Sequence, residues 1–144
     1  MSRPALDLPD TLPFVTELEV RIGDVNYGGH LGNDALVSLL HEARVRYFRS
    51  LGYTERDVEG SGIIMTDLLV LYRSEAFPGD RLRIEMGVTD HQPARCGILY
   101  RATNAVTGAE VARARTGIAF FDYTARKVAP MPPAFRLKTG GNAS

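Results

Sequence analysis

The residues with the most chemical potential lie between Gly23 and Asn33, in the run GDVNYGGHLGN. It holds a carboxylate (Asp24), a side-chain amide (Asn26), an imidazole (His30) and two adjacent glycines (Gly28, Gly29), directly ahead of an amphipathic stretch. Such a set suits attack on a polarised carbonyl. A helix start carries unpaired N–H groups and the positive end of the helix dipole, and both favour a developing oxyanion. With no Cβ at Gly28 or Gly29, backbone can approach a ligand closely, and the N–H of Gly29 or His30 is the expected oxyanion donor. The alternative is that these glycines only supply positive φ in a turn. Imidazoles titrate near neutrality, so His30 is a candidate base or carbonyl donor, set against a purely structural histidine. Asn26 either orients water and bonds the carbonyl or closes an Asx turn on its own backbone. Asp24, the nearest carboxylate, is either a base or a cap for the loop's N–H groups. Tyr27, Gly28 and Asn33 are the loop's candidate substrate contacts.

The flanking sequence must position that loop. FVTELEVRI alternates apolar and polar from Phe14 to Ile22, the period of a half-buried strand with Phe14, Thr16, Leu18, Val20 and Ile22 on one face. A helix is predicted from about Asp34 to Leu51, with Asn33 as its N-cap and Gly52 as its left-handed stop. Leu36, Leu40, Ala43, Tyr47 and Leu51 form its main core face, while Val37, Val45 and Phe48 fall outside that stripe. GIIMTDLLVLYRS then reads as a strand buried on both faces, interrupted by Asp67, a buried carboxylate that must be paired. FPGD and VTGAE are turns separating three further alternating strands, RLRIEMGVTDH, CGILYRATN and VARARTGIAFFDY. One long helix with about five antiparallel strands makes an α+β fold whose sheet curls around the helix. Residues 1–12 and 134–144 read as flexible arms. A sheet covered by a single helix leaves edges that invite a second copy, so a homodimer is expected.

Composition narrows the partners. The chain has 144 residues, long enough for one sizeable core, with 44% hydrophobic and 24% charged residues. Acidic and basic residues balance at 17 each, which argues against nucleic acid. No targeting or membrane segment is expected, since the most apolar stretch, from Gly62 to Tyr72, falls short of the ~20 residues a spanning helix needs. The single cysteine, Cys96, sits in a strand-like segment as a small hydrophobe and suits a reducing cytoplasm. His41 and His91 have no context that assigns them a role.

Asp24-Val25-Asn26-Tyr27-Gly28-Gly29-His30-Leu31-Gly32-Asn33, followed by His41-Glu42-Ala43-Arg44, resembles a hotdog-fold family, the 4-hydroxybenzoyl-CoA thioesterase-like acyl-CoA thioesterases. That family's pattern is Asp-x-Asp-x-x-Gly-His-x-Asn-Asn and then a helix with an aromatic-Glu-x-Ala-Arg run. The resemblance extends through LYRSEAFPGDRLRI, with its proline displaced to Pro78, and spans roughly residues 14 to 122. It implies a hotdog homodimer or homotetramer with active sites at the subunit interface, each using one chain's helix start. It also implies hydrolysis of an acyl-CoA, with no metal and no cofactor.

Two positions depart from the pattern. The family's usual catalytic carboxylate falls on Asn26, whose amide has no useful basicity, and the first asparagine of its Asn-Asn pair falls on Gly32. Related enzymes place a catalytic carboxylate on the helix facing the partner's loop. That makes Glu42 a candidate, against a simple i,i+4 pair with Arg46. Asp67 is a candidate supporting group, and Arg73, Arg81 and Arg95 are candidates for the CoA phosphates. Two other readings remain. Gly23-Asp24-Val25-Asn26 with His30 partly matches hotdog enoyl-CoA hydratases, and Asn26 also suits a non-catalytic acyl-CoA-binding protein.

Overall fold

The computed structural model describes residues 4–141. Chain order is β1 (Phe14–Glu19), a 3₁₀ turn (Ile22–Asp24), α1 (Asn33–Ser50), β2 (Gly62–Tyr72), β3 (Arg81–Thr89), β4 (Arg95–Asn104), β5 (Glu110–Asp122), β6 (Lys127–Val128) and α2 (Pro133–Lys138). The strands form one antiparallel sheet in the order β1-β3-β4-β5-β2, with the short β6 paired to β5. Alternation decides which side of the sheet meets the helix. Leu18 opposes Leu82, Ile84 opposes Ala102, and Tyr100 opposes Ala114; all are buried in the core under α1.

The first strand is shorter than its pattern. After Glu19 the chain leaves β1's pairing with β3: Val20 exchanges bonds with the β2–β3 turn, donating to Asp80 O and accepting from Gly79 N at 2.8 Å each. Asp24 then caps the 3₁₀ turn through Arg21 N–H at 2.9 Å. Ile22, expected on the buried face, is therefore 80% exposed.

Helix α1 starts one residue earlier than predicted. Gly32 is its N-cap and Asn33 its first helical residue, so the expected Asn33 cap is corrected: no side chain caps this end. Leu36, Leu40, Ala43 and Tyr47 are buried as their spacing requires, and Leu39, Arg44 and Phe48 join them. At the C-terminal end Gly52 takes φ 89°; its N–H bonds Arg49 O, and Tyr53 N–H bonds Phe48 O. That pair of bonds is the Schellman stop.

Strand β2 corrects a second expectation. It is an edge strand, and the backbone of α1 comes nearest to β1 and β3, leaving a cavity between the helix and Met65 and Leu68 of β2. The helix-side residues Met65, Leu68 and Tyr72 are consequently 48%, 42% and 49% exposed rather than buried. Thr66 is an extra residue in a bulge, and Asp67 emerges from it with its side chain 64% exposed. The carboxylate accepts Gly117 N–H at 3.1 Å and faces Arg115 at 3.7 Å; it is paired but not buried.

Of the arms, residues 1–3 and 142–144 lie outside the described residues. Parts of the remainder are engaged. Arg101 bonds the carbonyls of Pro9 and Asp10, and Arg113 that of Leu6. Phe135 of α2 is fully buried, with its ring 5.0 Å from Phe120 and 6.0 Å from Phe48. Cys96 is buried as expected, and burial pushes its thiol up to about 12.

Candidate active site

The loop between the 3₁₀ turn and α1 is closed by its own backbone. Asn26 N–H donates to His30 O, and Gly32 N–H to Asp24 O, each at 2.9 Å. Asn26 Oδ1 accepts Gly28 N–H at 2.9 Å, the Asx turn that was one of its two readings. Gly29 sits at φ 79°, which explains a glycine there, and its N–H donates to Asn26 O at 3.0 Å. Of the two expected oxyanion donors, the Gly29 amide is therefore engaged. The N–H of His30, together with those of Asn33 and Asp34 in the first turn of α1, takes no partner among the described residues.

One further bond places the loop against the sheet. Leu31 N–H donates to Ala76 O at 2.7 Å, pinning the loop to the chain that leaves β2. Tyr72 reaches across from the end of β2, its hydroxyl donating to Asn33 O at 3.1 Å. Between them lies a cavity of about 230 Å³, lined by His30, Gly32 and Asn33 on one side and Tyr72, Arg73 and Glu75 on the other, with Leu36 and Val111 as apolar wall.

Within it, His30 Nδ1 lies 3.3 Å from Leu31 O and Nε2 lies 3.9 Å from Glu75 Oε1. A carbonyl only accepts, so the first contact calls for a proton on Nδ1 and leaves a lone pair on Nε2 of the neutral ring. Burial and the charge of Asp34 raise the pKa of Tyr72, so its hydroxyl stays protonated. Arg73 is half-exposed, 3.9 Å from Glu110.

The sequence candidates separate around this cavity. Asp24, Asn26 and Tyr27 line a second cavity of about 360 Å³ on the other side of the loop, with Gly32 shared by both. Tyr27 is fully exposed. Asp24 is buried yet ionised: desolvation pushes its carboxyl up, but hydrogen bonds from the Arg21 side chain and N–H, with the guanidinium charge, bring it below the ordinary value. It acts as a cap. Glu42 lines neither cavity and pairs with Arg46 at 3.6 Å. Asp67 also lines neither. His41, given no role, bonds Glu55 at 2.8 Å, and Glu55 also holds the buried Arg44. Glu75 and Tyr72 were missed. The one available signal was that a strand antiparallel to its neighbours must return its far end, here Tyr72 to Glu75, to the level of the helix start. Among the described residues no three His, Cys, Asp or Glu side chains gather as metal ligands would.

A long helix lying across a curved antiparallel sheet, with a polar cavity at the helix start, is the hotdog fold of thioester hydrolases. The chain belongs to the thioesterase-like superfamily, whose family model matches residues 20–138. Its fold is that of a 1,4-dihydroxy-2-naphthoyl-CoA thioesterase from Synechocystis, at TM-score 0.80 and 22% identity over 88% of this chain and 95% of that one. A DHNA-CoA thioesterase from Staphylococcus aureus is similar at TM-score 0.72 and 22% identity, covering 81% of this chain and 78% of that one. A probable thioesterase from Escherichia coli is similar at TM-score 0.71 and 18% identity, covering 86% and 94% respectively. No curated protein matches the chain. No helix among the described residues is long and apolar enough to cross a membrane.

Proposed function

We propose that the thioester hydrolysed by this protein is an acyl-CoA, and that the cavity between the helix start and the end of β2 is where its carbonyl reacts. The observation that carries this reading is that His30 and Asn33, whose backbone amides take no partner among the described residues, line one cavity with the His30 imidazole. The amides of His30 and Asn33 receive the carbonyl oxygen as it becomes an oxyanion. His30 acts as base toward water, and Leu36, Tyr72 and Val111 hold the apolar acyl group. Arg73, at the rim, offers a planar cation to a CoA phosphate. The similar Synechocystis and S. aureus proteins bear the names of aryl-CoA thioesterases, which recommends aromatic acyl groups as the first to try.

A second copy completes the unit in this reading. Exposed Met65 and Leu68 on an edge strand are an apolar edge that pairing with another β2 would cover. A dimer in a reducing cytoplasm is the form proposed, a buried lone cysteine being compatible with that compartment. Sedimentation should give a dimer, and Leu68→Lys should shift it toward monomer.

The test of activity is a thiol-release screen across aromatic and aliphatic acyl-CoAs. Wild type should release CoA, and His30→Ala should lose about 10²- to 10⁴-fold in kcat. Binding without thiol release, or release unaffected by His30→Ala, would contradict the assignment. A crotonyl-CoA arm identifies hydration, which leaves the thioester intact.

A further inference from the structure

Asn26 supplies no carboxylate to this site, and the geometry narrows which other side chain does. Asp24 is tied to Arg21, and Glu42 to Arg46. Asp67 faces Arg115 and accepts Gly117 N–H, while Asp34 accepts Ala35 N–H in the first turn of α1. Each already has a cation or backbone donor as partner. Glu75 differs. Its one ionisable neighbour within 4 Å among the described residues is His30, and both residues line the same cavity.

We propose that Glu75 is a catalytic residue that holds the attacking water jointly with His30. The proposal rests on the reading of this cavity as the site of thioester hydrolysis. The 3.9 Å between Nε2 and Oε1 exceeds a direct hydrogen bond. A single water about 2.8 Å from each atom spans it, donating one proton to each acceptor. That leaves the water's lone pair directed away from both groups, toward a carbonyl held at the helix start.

The step balances without a further reactant. Water oxygen bonds the carbonyl carbon, its proton passes to Nε2, and the carbonyl π pair moves to oxygen at the His30 and Asn33 amides. Collapse of that oxyanion breaks the C–S bond, and the imidazolium returns its proton to the departing thiolate. The products are the free acid and CoA thiol. The Glu75 carboxylate orients the water and stabilises the imidazolium. Tyr72 and Arg73 are the other ionisable groups on the cavity, and Arg73 faces Glu110. Neither competes for Nε2.

No motif marked Glu75. It lies in the exposed connection after β2, and it reaches His30 through the bond from Leu31 N–H to Ala76 O. The carboxylate is thus delivered by the sheet rather than by the loop.

The experiment is steady-state thiol release on the best acyl-CoA of the screen, comparing wild type with Glu75→Gln, Glu75→Asp and, as a control on β1, Glu19→Gln. Side-chain exposure of 64% at Glu75 makes retention of fold the expectation, checked by melting temperature. Glu75→Gln should lower kcat about 10- to 100-fold with KM within about twofold, because water and not substrate is held. Glu75→Asp should recover part of the loss, and Glu19→Gln should match wild type. Wild-type kcat in Glu75→Gln overturns the proposal and leaves the thioesterase reading standing. A loss confined to KM overturns it as well. A wild type that releases no thiol overturns the thioesterase reading itself.

Discussion

The two ends of α1 are built on opposite principles. Its C-terminal end is sealed: Gly52 and Tyr53 close the last turn, and Lys138 Nζ donates to Leu51 O at 3.2 Å. The same ammonium sits 4.7 Å from the centre of the Tyr53 ring. Phe48, Tyr53, Phe120 and Phe135 pack around that end. The N-terminal end has no side-chain cap, leaves amides of its first turn unpaired and presents an imidazole and a carboxylate to solvent. The helix dipole is complemented by a cation at its C-terminal end and by the Asp34 carboxylate in its first turn, while the Asn33 and Asp34 amides stay unpaired among the described residues. Aromatic packing gathers at the end where no chemistry is proposed, while the reacting end rests on aliphatic packing by Leu31, Leu36 and Val111 and on the loop's backbone bonds.

That contrast predicts that stability and turnover separate by end. The largest stability loss should come from Phe135→Ala, about 3–5 kcal/mol as for other fully buried aromatics. Urea unfolding would measure it, and kcat per folded molecule should stay close to wild type. A large fall in kcat with full folding would show that the ends are coupled. Lys138→Met removes the carbonyl contact and the contact with the Tyr53 ring, and should cost about 0.5–1 kcal/mol in the same assay.

The smallest effect concerns acid. Asp24 has a folded pKa below its unfolded value, so its contribution is complete above the unfolded pKa of about 3.9 and is lost as pH falls through the folded one. Asp24→Asn should lower the neutral plateau slightly and flatten the acid limb, so that the two stability–pH curves converge at low pH. An unchanged acid limb would show that the Arg21 pairing contributes nothing to stability.

Local chemistry was legible in the sequence. Gly52 at a left-handed helix stop, the FPGD and VTGAE turns, and four members of the Leu36-Leu40-Ala43-Tyr47-Leu51 stripe follow from one residue type or one period and appear as expected, while Leu51 is only half-buried at the C-cap. What escaped depends on neighbours in space. An apolar strand gives the same sequence signal at the centre of a sheet or at an edge that a second chain covers, so β2 and Asp67 were read as buried. Phe135 follows two prolines in a short polar tail, and only the docking of α2 on Phe48 and Phe120 reveals why it is aromatic. In the candidate site, His30 and the helix start were visible because they share one loop. Asn26 lay between two roles that residue type alone does not separate. Glu75 was silent, being 45 residues from His30 and brought there by antiparallel topology.

The most direct test of the central claim is a crystal structure with a non-hydrolysable acyl-CoA analogue that retains the carbonyl. The carbonyl oxygen should lie within about 3 Å of the His30 or Asn33 amide, with its carbon facing the space between His30 Nε2 and Glu75. A carbonyl bound in the cavity beside Asp24 and Asn26, or anywhere away from those amides, would contradict the account.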